Sequence, residues 1–378
     1  MTNIGIIGTG DIFDRYVTGL RRFPSLDVTW CADIDLGRAR DAAERANVRQ
    51  AGSPTELLSD QDVSVVVVLT PPSVHAPVVK DVLAVGKHVY VEKPLATSIE
   101  DGRALIALAA SQRRLLGSAP DTFLGSACQT ARAVIDSGEI GDVFGVSVVM
   151  THNGAETRHP DPTFLFSPGG GPLLDLGPYY VTQLVNCLGP ISEVTGMTRI
   201  GHRQRVVTAP NRRVDTIDVT VPTHTSAVAR FASGAIATIM MTFDVWVRSA
   251  PFIEIFGTQG QLQLPDPNTF DGGVTIRLND DNQWRYVAPV IPPLAAHTRK
   301  EQLLRGIGVA DLAASIDTRR PRTDAAVALH VLEVLSAVQR SSDTSSVVAV
   351  ESRCDRPEPL TTDEIERWTG AADAQSDS

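Results

Sequence analysis

The sequence of 378 residues predicts two domains of different class. Residues 1–122 are expected to form an α/β domain around a doubly wound parallel sheet, and residues 123–368 an α+β domain with a large, mostly antiparallel open sheet. Three observations support this. Short apolar runs alternate with amphipathic segments through the first third, and residues 63–69 form a β-branched run typical of a strand buried on both faces. Beyond residue 140, strand-like segments follow one another with few helices between them.

The elements of the first domain follow in regular order. The apolar runs predict strands at 4–7, 28–32, 63–69, 88–91 and 115–118. The amphipathic segments predict helices at 11–22, 36–46, 74–85 and 99–111, and one more helix at 126–137. This βαβ alternation indicates a parallel sheet.

The sequence pattern of the second domain is different. Strands are predicted at 143–151, 193–200, 215–221, 227–232, 235–243 and 252–256, with Ser233-Gly234 as a hairpin turn. Helices are predicted at 179–188 and 324–340, and the later one is a candidate for packing back on the first domain. The small, polar residues 369–378 are expected to fray.

Composition limits the possible functions. The formal net charge of −10 argues against nucleic acid and anionic membrane surfaces as partners. No apolar run approaches the roughly 18 to 20 residues that a membrane span needs, and the first strand begins too early for a signal peptide. We therefore expect a soluble, cytoplasmic protein. Its cysteines then read as buried, reduced thiols: Cys31, Cys128, Cys187 and Cys354.

A glycine turn follows the first strand and opens the first helix. Glycine there permits a tight turn and lets backbone N–H groups approach a pyrophosphate, as in a Rossmann domain. The residues expected to contact the cofactor are Gly8, Thr9, Gly10, Asp11 and Ile12. Phe13 departs from the usual third small residue and is expected to loosen or redirect the packing of helix on strand. The alternative is a turn without a ligand.

Asp33 ends the second strand, 25 residues after Gly8. A carboxylate here can accept hydrogen bonds from the ribose hydroxyls and repels a 2′-phosphate, which favours NAD over NADP. Alternatively, Asp33 caps the next helix, although Asp35 could equally do so. Arg38 and Arg40 could pair with a 2′-phosphate, but they lie inside the predicted helix.

Two further stretches carry residues suited to catalysis. Lys93 follows the strand at 88–91, at the sheet edge where doubly wound folds bind ligands, and could stabilise an alkoxide or transfer its proton. Asp175 and Tyr179 lie four residues apart after three glycines, which predicts one shared helical face. Proximity of a lysine to the phenol would lower its pKa. The alternatives are a surface lysine, a helix-capping aspartate and a packing tyrosine.

These motifs together resemble the Gfo/Idh/MocA oxidoreductases. The resemblance runs nearly end to end: GIIGTG, LTPPSVH at 69–75, VEKPLA at 91–96, GGGPLLDLGPYY at 169–180 and GIGVADLAASI at 306–316. It implies that Lys93 is the catalytic lysine, before a commonly cis proline, and that Asp175 and Tyr179 complete the catalytic set. Most relatives have His where this chain has Tyr179, and many have Asn in place of Pro72.

The resemblance also implies further cofactor contacts. Thr70, Glu92 and Lys93 are expected to face the cofactor, while Pro71 and His75 would flank the nicotinamide ribose. His75 could instead be an ordinary histidine on a helix face.

The expected reaction is reversible oxidation of a secondary alcohol on a sugar or cyclitol, with hydride passing to nicotinamide C4. Two alternatives remain: a redox-neutral glycosidase or lyase that works through a transient keto-sugar, and a dinucleotide-sensing regulator, against which retention of Lys93 argues. The expected partners are a small-molecule substrate and further copies in a homodimer or homotetramer.

Position alone suggests the residues that contact substrate. Beside the three catalytic candidates, these are Asp121, Thr122, His152, Asn153, Arg158 and His159. A metal site at His152 and His159 is conceivable, but no further ligands at metal-like spacing accompany them, and none is expected.

Overall fold

The computed structural model describes residues 1–247, 252–294 and 304–370. The chain divides into two compact units. The first comprises Met1–Gln129, Pro289–Leu329 and Pro357–Ser378, and the second comprises Thr130–Ala288 and His330–Arg356.

The first unit is built on a six-stranded parallel sheet. Its strands are β1 (Thr2–Ile7), β2 (Leu26–Ala32), β3 (Gln50–Gly52), β4 (Val65–Val68), β5 (His88–Val91) and β6 (Leu116–Ser118). The spatial order β3-β2-β1-β4-β5-β6 is doubly wound, with β1 and β4 adjacent at its centre. The four valines of β4 are fully buried, as expected for a strand with helices on both faces. The predicted class of this domain is confirmed.

Helices connect these strands. They are α1 (Phe13–Leu20), α2 (Leu36–Ala46), α3 (Pro54–Ser59), α4 (His75–Ala84) and α5 (Ile99–Ser111), followed by α6 (Ser126–Asp136). Strand β3 and helix α3 were not predicted, because both are too short to show a period. Helix α3 nevertheless carries a readable start signal, since Ser53 and Glu56 form a capping box.

The second unit contains a nine-stranded, mostly antiparallel sheet, as predicted. Its strands are β7 (Val143–Thr151), β8 (Ile191–Arg199), β11 (His224–Phe231), β12 (Ile236–Thr242), β13 (Ile253–Gly257), β14 (Gly260–Leu264), β15 (Val274–Leu278), β16 (Arg285–Val287) and β17 (Val348–Ala349). Their order is β16-β15-β14-β13-β7-β12-β11-β8-β17, and β12 runs parallel to β7. Strands β9 (Gln204–Val206) and β10 (Thr216–Asp218) form a separate pair, so the strand predicted at 215–221 is not part of the large sheet.

One face of this sheet is buried under helices α8 (Gly177–Leu188) and α10 (Ala325–Thr344). Gly196 of β8 donates its N–H to Ser341 Oγ over 3.0 Å, and a Cβ on Gly177 would lie 2.7 Å from the Leu335 side chain. The opposite face alternates in register and leaves Met197, Val228 and Ile236 exposed.

Two late segments return to the first unit. They contain α9 (Ile307–Ala314), the first residues of α10, and α11 (Thr362–Thr369). Ser118 N–H donates to the Thr323 carbonyl over 2.8 Å, which extends the edge of β6. The predicted boundary at residue 122 did not include this return, which depends on contacts distant in sequence.

Helix α11 ends at Gly370, whose φ of +73° suits a glycine C-cap. The fraying predicted for 369–378 falls, beyond Gly370, outside the described residues. Of the helices in the described ranges, none is both long and apolar enough to cross a membrane.

Candidate functional site

The glycine turn after β1 is shaped for close approach. Gly8 has a φ of +101°, and a Cβ there would lie 2.8 Å from the Leu69 carbonyl atoms, so a side chain does not fit. At Gly10 a Cβ would meet only the Arg38 guanidinium, at 3.8 Å. Asp11 and Ile12 complete the turn, and α1 begins directly after it. The turn therefore packs tightly at Gly8 and leaves space at Gly10, just before the N-terminus of α1, an arrangement suited to binding phosphate.

Phe13 is the first residue of α1, and its side chain is fully buried. The aromatic ring at the third small-residue position is thus taken up by the core of the first unit.

Asp33 is bound directly to this turn. Its Oδ2 accepts the Thr9 N–H over 3.0 Å and the Thr9 hydroxyl over 2.9 Å, and its Oδ1 accepts the Asp35 N–H over 3.1 Å. Burial alone would raise the pKa of Asp33, but these hydrogen bonds and the nearby Arg38 outweigh it and lower the pKa. A buried carboxylate therefore stays ionised beside the turn. The capping alternative is excluded, because Asp35 is the N-cap of α2.

The loop after β4 carries Thr70, Pro71 and His75. The Thr70 hydroxyl is buried and has no hydrogen-bond partner within the part of the chain that the structure describes. His75 is fully buried, with Nε2 2.8 Å from the Thr70 carbonyl and Nδ1 2.7 Å from the Pro94 carbonyl. Both ring nitrogens are thus used within the chain. His75 thus joins the loop to the turn after Lys93, and its contact with the nicotinamide ribose stays a prediction.

Lys93 follows Glu92 at the carboxyl end of β5, and the Lys93-Pro94 peptide is cis, as the resemblance implied. Glu92 is turned inward. Its Oε2 accepts the Lys93 N–H over 2.8 Å, and its Oε1 accepts the Tyr16 hydroxyl of α1 over 2.9 Å. Each carboxylate oxygen thus accepts one hydrogen bond within the chain, and the cofactor contact of Glu92 stays a prediction.

Asp121 does not lie at a substrate-accessible surface. The residue is fully buried, and its Oδ2 accepts N–H groups from Gly306 at 3.0 Å and Gly308 at 3.1 Å. Thr122 is buried as well. Asp121 therefore holds the start of α9 in the first unit, and the substrate role of Asp121 and Thr122 stays a prediction.

In the second unit, Asp175 and Tyr179 occupy two helices. Asp175 ends α7 (Gly171–Asp175), and Tyr179 lies in α8, with Leu176 between the two helices. Pro178 has no N–H to donate, and Tyr179 N–H bonds to the Leu176 carbonyl at 3.1 Å, so the continuous helix that the four-residue spacing predicted is interrupted. Tyr179 is buried, whereas Asp175 is half-buried.

Two of the three glycines at the start of α7 pack closely against backbone of their own unit. A Cβ on Gly170 would lie 2.5 Å from the Phe164 carbonyl oxygen, and one on Gly171 would lie 2.7 Å from that of Pro222. A Cβ on Gly169 would have no neighbour within 4 Å among the described residues.

The loop after β7 contains the other expected substrate contacts. Arg158 is exposed and donates to His152 Nε2, Asn153 is exposed, and His159 Nδ1 accepts the Asp161 N–H at 3.1 Å. These interactions order the loop and leave the proposed substrate role untested.

Arg205 is a charged residue of this region that sequence reasoning missed. It lies between the carboxylates of Glu156 and Asp244, with its guanidinium 4.8 Å from the centre of the Phe166 ring. The cluster joins the loop after β7 to the segment after β12. No local pattern marks it, because its members lie far apart in sequence.

The glycine turn, the ionised Asp33 and the parallel sheet are typical of an NAD-binding Rossmann domain. The model of the oxidoreductase family with NAD-binding Rossmann fold (GFO_IDH_MocA) matches residues 2–119, and that of the GFO/IDH/MocA C-terminal domain matches residues 128–263. The chain belongs to the Gfo/Idh/MocA family.

Named relatives of the chain include two enzymes. Trans-1,2-dihydrobenzene-1,2-diol dehydrogenase of Bos taurus is 30% identical over 267 residues, which cover 70% of this chain and 74% of the relative. dTDP-3,4-didehydro-2,6-dideoxy-alpha-D-glucose 3-reductase of Streptomyces antibioticus is 28% identical over 263 residues, 69% and 74% of the two chains.

Solved structures share the fold. An NAD-binding oxidoreductase from Klebsiella pneumoniae superposes with a TM-score of 0.82 at 24% identity, covering 93% of this chain and 99% of that one. Levoglucosan dehydrogenase in complex with NADH gives 0.79 at 20% identity, with 93% and 99% covered.

Proposed function

We propose that this chain is an NAD-dependent dehydrogenase that reversibly oxidises a secondary alcohol of a sugar, sugar derivative or cyclitol. The observation that carries the proposal is the buried, ionised Asp33 carboxylate bound to the glycine turn. It offers acceptors to ribose hydroxyls and repels a 2′-phosphate, which favours NAD over NADP.

The residues present fit the cofactor. Gly10 leaves room at the helix N-terminus, and the buried Thr70 hydroxyl lacks a partner among the residues described. Gly8, Thr9, Gly10, Asp33 and Thr70 would hold NAD. When bound, NAD supplies the hydride acceptor at nicotinamide C4.

The chemistry of the chain itself is proton transfer. The motif resemblance implies Lys93, Asp175 and Tyr179 as the catalytic residues, and in this proposal Lys93 or Tyr179 accepts the hydroxyl proton. Asp175 binds the adjacent hydroxyl or orients the base. General acid–base catalysis of this kind contributes about 10²- to 10⁴-fold to the rate.

The substrate class is supported by the relatives. Their printed names refer to a cyclic diol, a dTDP-linked keto-sugar and levoglucosan, all ring compounds with hydroxyl or keto groups. Polar residues after β7, such as His152 and Arg158, suit a polyol, because their side chains can hydrogen-bond its hydroxyl groups.

The experiment is a panel of sugars, inositols and glycosides, assayed with NAD and NADP by absorbance at 340 nm. We expect stoichiometric NADH from at least one polyol. Lys93→Ala should lower kcat by about 10²-fold or more while NAD affinity stays near that of the wild type. The matched control is Lys80→Ala, an exposed lysine of α4.

Two results would contradict the proposal. Near-normal kcat in Lys93→Ala would remove the assigned role of Lys93. Cleavage of a glycoside without net NADH would instead indicate the redox-neutral reaction.

We also propose that the chain forms a homodimer or homotetramer through the exposed face of the nine-stranded sheet. Met197, Val228 and Ile236 support this, because open sheets that expose apolar side chains commonly pair with a second copy.

A further inference from the structure

We propose that Tyr16 and Glu92 form a positioning pair that fixes the Lys93 turn relative to helix α1. The inference rests on the proposed function, in which Lys93 transfers a proton. Neither residue of the pair needs to touch the substrate, since both would act through Lys93.

The contacts form a short chain. The Tyr16 hydroxyl donates to Glu92 Oε1 over 2.9 Å, and the Lys93 backbone N–H donates to Glu92 Oε2 over 2.8 Å. One carboxylate therefore joins a helix to the backbone of the lysine, across 76 residues of sequence between Tyr16 and Glu92. Bonds to an ionised acceptor are stronger and more directional than neutral ones.

Burial makes these bonds costly to lose. Tyr16 is fully buried and Glu92 is 7% exposed, so water does not readily replace a lost partner. Desolvation, followed by the nearby Glu92, Tyr90 and Asp121, raises the pKa of Tyr16 well above its usual value. The hydroxyl therefore remains a protonated donor across the working range.

The position of Tyr16 gives the pair its role. Tyr16 lies one turn into α1, the helix that starts directly after the glycine turn expected to hold the pyrophosphate. Its ring also packs near Tyr90 of β5, with centroids 6.3 Å apart. The helix at the cofactor turn and the strand that presents Lys93 are thus joined by one hydrogen-bonded carboxylate.

The test compares Tyr16→Phe, Glu92→Ala, Glu92→Gln and the double variant Tyr16→Phe/Glu92→Ala. For each we would measure kcat with the best polyol of the panel, NAD affinity by calorimetry, Tm, and hydrogen exchange of the peptide containing Lys93 without cofactor. The matched control is Tyr180→Phe, because Tyr180 is also buried and donates to a carboxylate, Asp266, at 3.3 Å.

We expect Tyr16→Phe and Glu92→Ala each to lower kcat about 10- to 100-fold, because a displaced catalytic group is costly. NAD affinity should change less than about twofold, because a positioning pair acts through Lys93 and not on the cofactor, and the double variant should be no worse than the poorer single one. Hydrogen exchange at the Lys93 N–H should accelerate in Glu92→Ala.

Glu92→Gln should recover activity, because its amide oxygen can accept the Lys93 N–H while the Tyr16 hydroxyl oxygen accepts from its NH₂ group. Tyr180→Phe should lower Tm alone.

Wild-type kcat in Tyr16→Phe, or additive losses in the double variant, would overturn the positioning role. A large loss of NAD affinity in Glu92→Gln would also overturn it and make Glu92 a cofactor contact. Near-normal kcat in Lys93→Ala would instead reject the proposed function, so the two failures are distinguishable. If Glu92→Ala does not fold, Tyr16→Phe and Glu92→Gln still test the positioning role.

Discussion

Asp33 places one ionised carboxylate beside the turn that is expected to hold the cofactor. Two Thr9 donors and the Asp35 N–H keep it charged despite burial. Arg38 lies 3.6 Å from Asp33 Oδ2 with its side chain 56% exposed. Asp33 therefore neutralises part of a positive charge that could otherwise bind a 2′-phosphate.

Replacing this carboxylate should shift the cofactor preference. In Asp33→Ser, we expect kcat/KM for NAD relative to NADP to fall about 10- to 100-fold, because a charged acceptor for the ribose is lost and Arg38 is released. Steady-state kinetics with both cofactors checks this. The control is Asp35→Ser, which retains an N-cap residue for α2 and should keep the ratio. If the ratio of kcat/KM for NAD to that for NADP is unchanged in Asp33→Ser, Asp33 does not discriminate between the two cofactors at the ribose.

Sequence indicated the place of Asp33 beside the glycine turn, because that place depends on local position in a βαβ unit. The buried contacts of Asp121 and His75 were not foreseen, because side-chain direction depends on distant partners. The N–H groups that bind Asp121 lie 185 and 187 residues further along the chain. Tyr16 was missed for the same reason, since its hydroxyl is explained only by Glu92 of another strand.

At the scale of elements, most segments with a clear apolar pattern were predicted, whereas β3 and α3 were not. Strands β5 and β7 and helix α5 have the predicted bounds. The separation of α7 from α8 was missed, because Asp175 and Tyr179 have helical spacing even though the backbone bonding changes at Leu176. Spacing thus identified the catalytic candidates but not the elements that hold them.

Helix α11 depends on one buried arginine. Arg322 pairs with Asp311 and Glu364, each at 2.7 Å, and donates to the Glu358 and Pro359 carbonyls at 3.0 and 2.8 Å. The Asp311 side chain is fully buried and that of Arg322 is 4% exposed. The arginine, which lies just before α10, therefore links helix α9 to helix α11.

Arg322→Met should destabilise the first unit by up to about 3 to 5 kcal/mol, because the buried Asp311 carboxylate keeps only the more exposed Arg319 as a positive partner. Urea unfolding followed by tryptophan fluorescence measures this, since Trp368 lies buried in α11. The control is Arg212→Met, whose ion pair with Asp215 is exposed and should cost less than about 1 kcal/mol. Equal losses in the two variants would show that the buried network does not hold α11.

The whole molecule was predicted as two domains, and both sheet classes are correct. The course of the chain between them was not foreseeable. Segments 304–329 and 357–370 belong to the first unit through contacts such as Asp121 with Gly306, which no contiguous pattern reveals. Hydrophobic periodicity indicates which face of a helix or strand is buried, but it does not identify the element that packs against that face.

The exposed face of the nine-stranded sheet is where we expect self-association. Ser226 stands opposite Met197, Val228 opposite Thr195, and Arg230 opposite Ile236, so apolar and polar side chains alternate across neighbouring strands. Met197 is 78% exposed, and a second copy that covers this face would remove these apolar groups from water. A two-fold pairing presents the same patch on both partners.

Sedimentation velocity at micromolar concentration should therefore show a dimer or tetramer. The double variant Met197→Glu/Val228→Glu should dissociate it, because each interface would gain four buried, unpaired carboxylates from two chains. The control is Val206→Glu, an exposed valine of the separate β9–β10 pair, which should leave the assembly intact. A monomeric wild type, or an assembly that survives both charges on the large sheet, would place self-association elsewhere or remove it altogether.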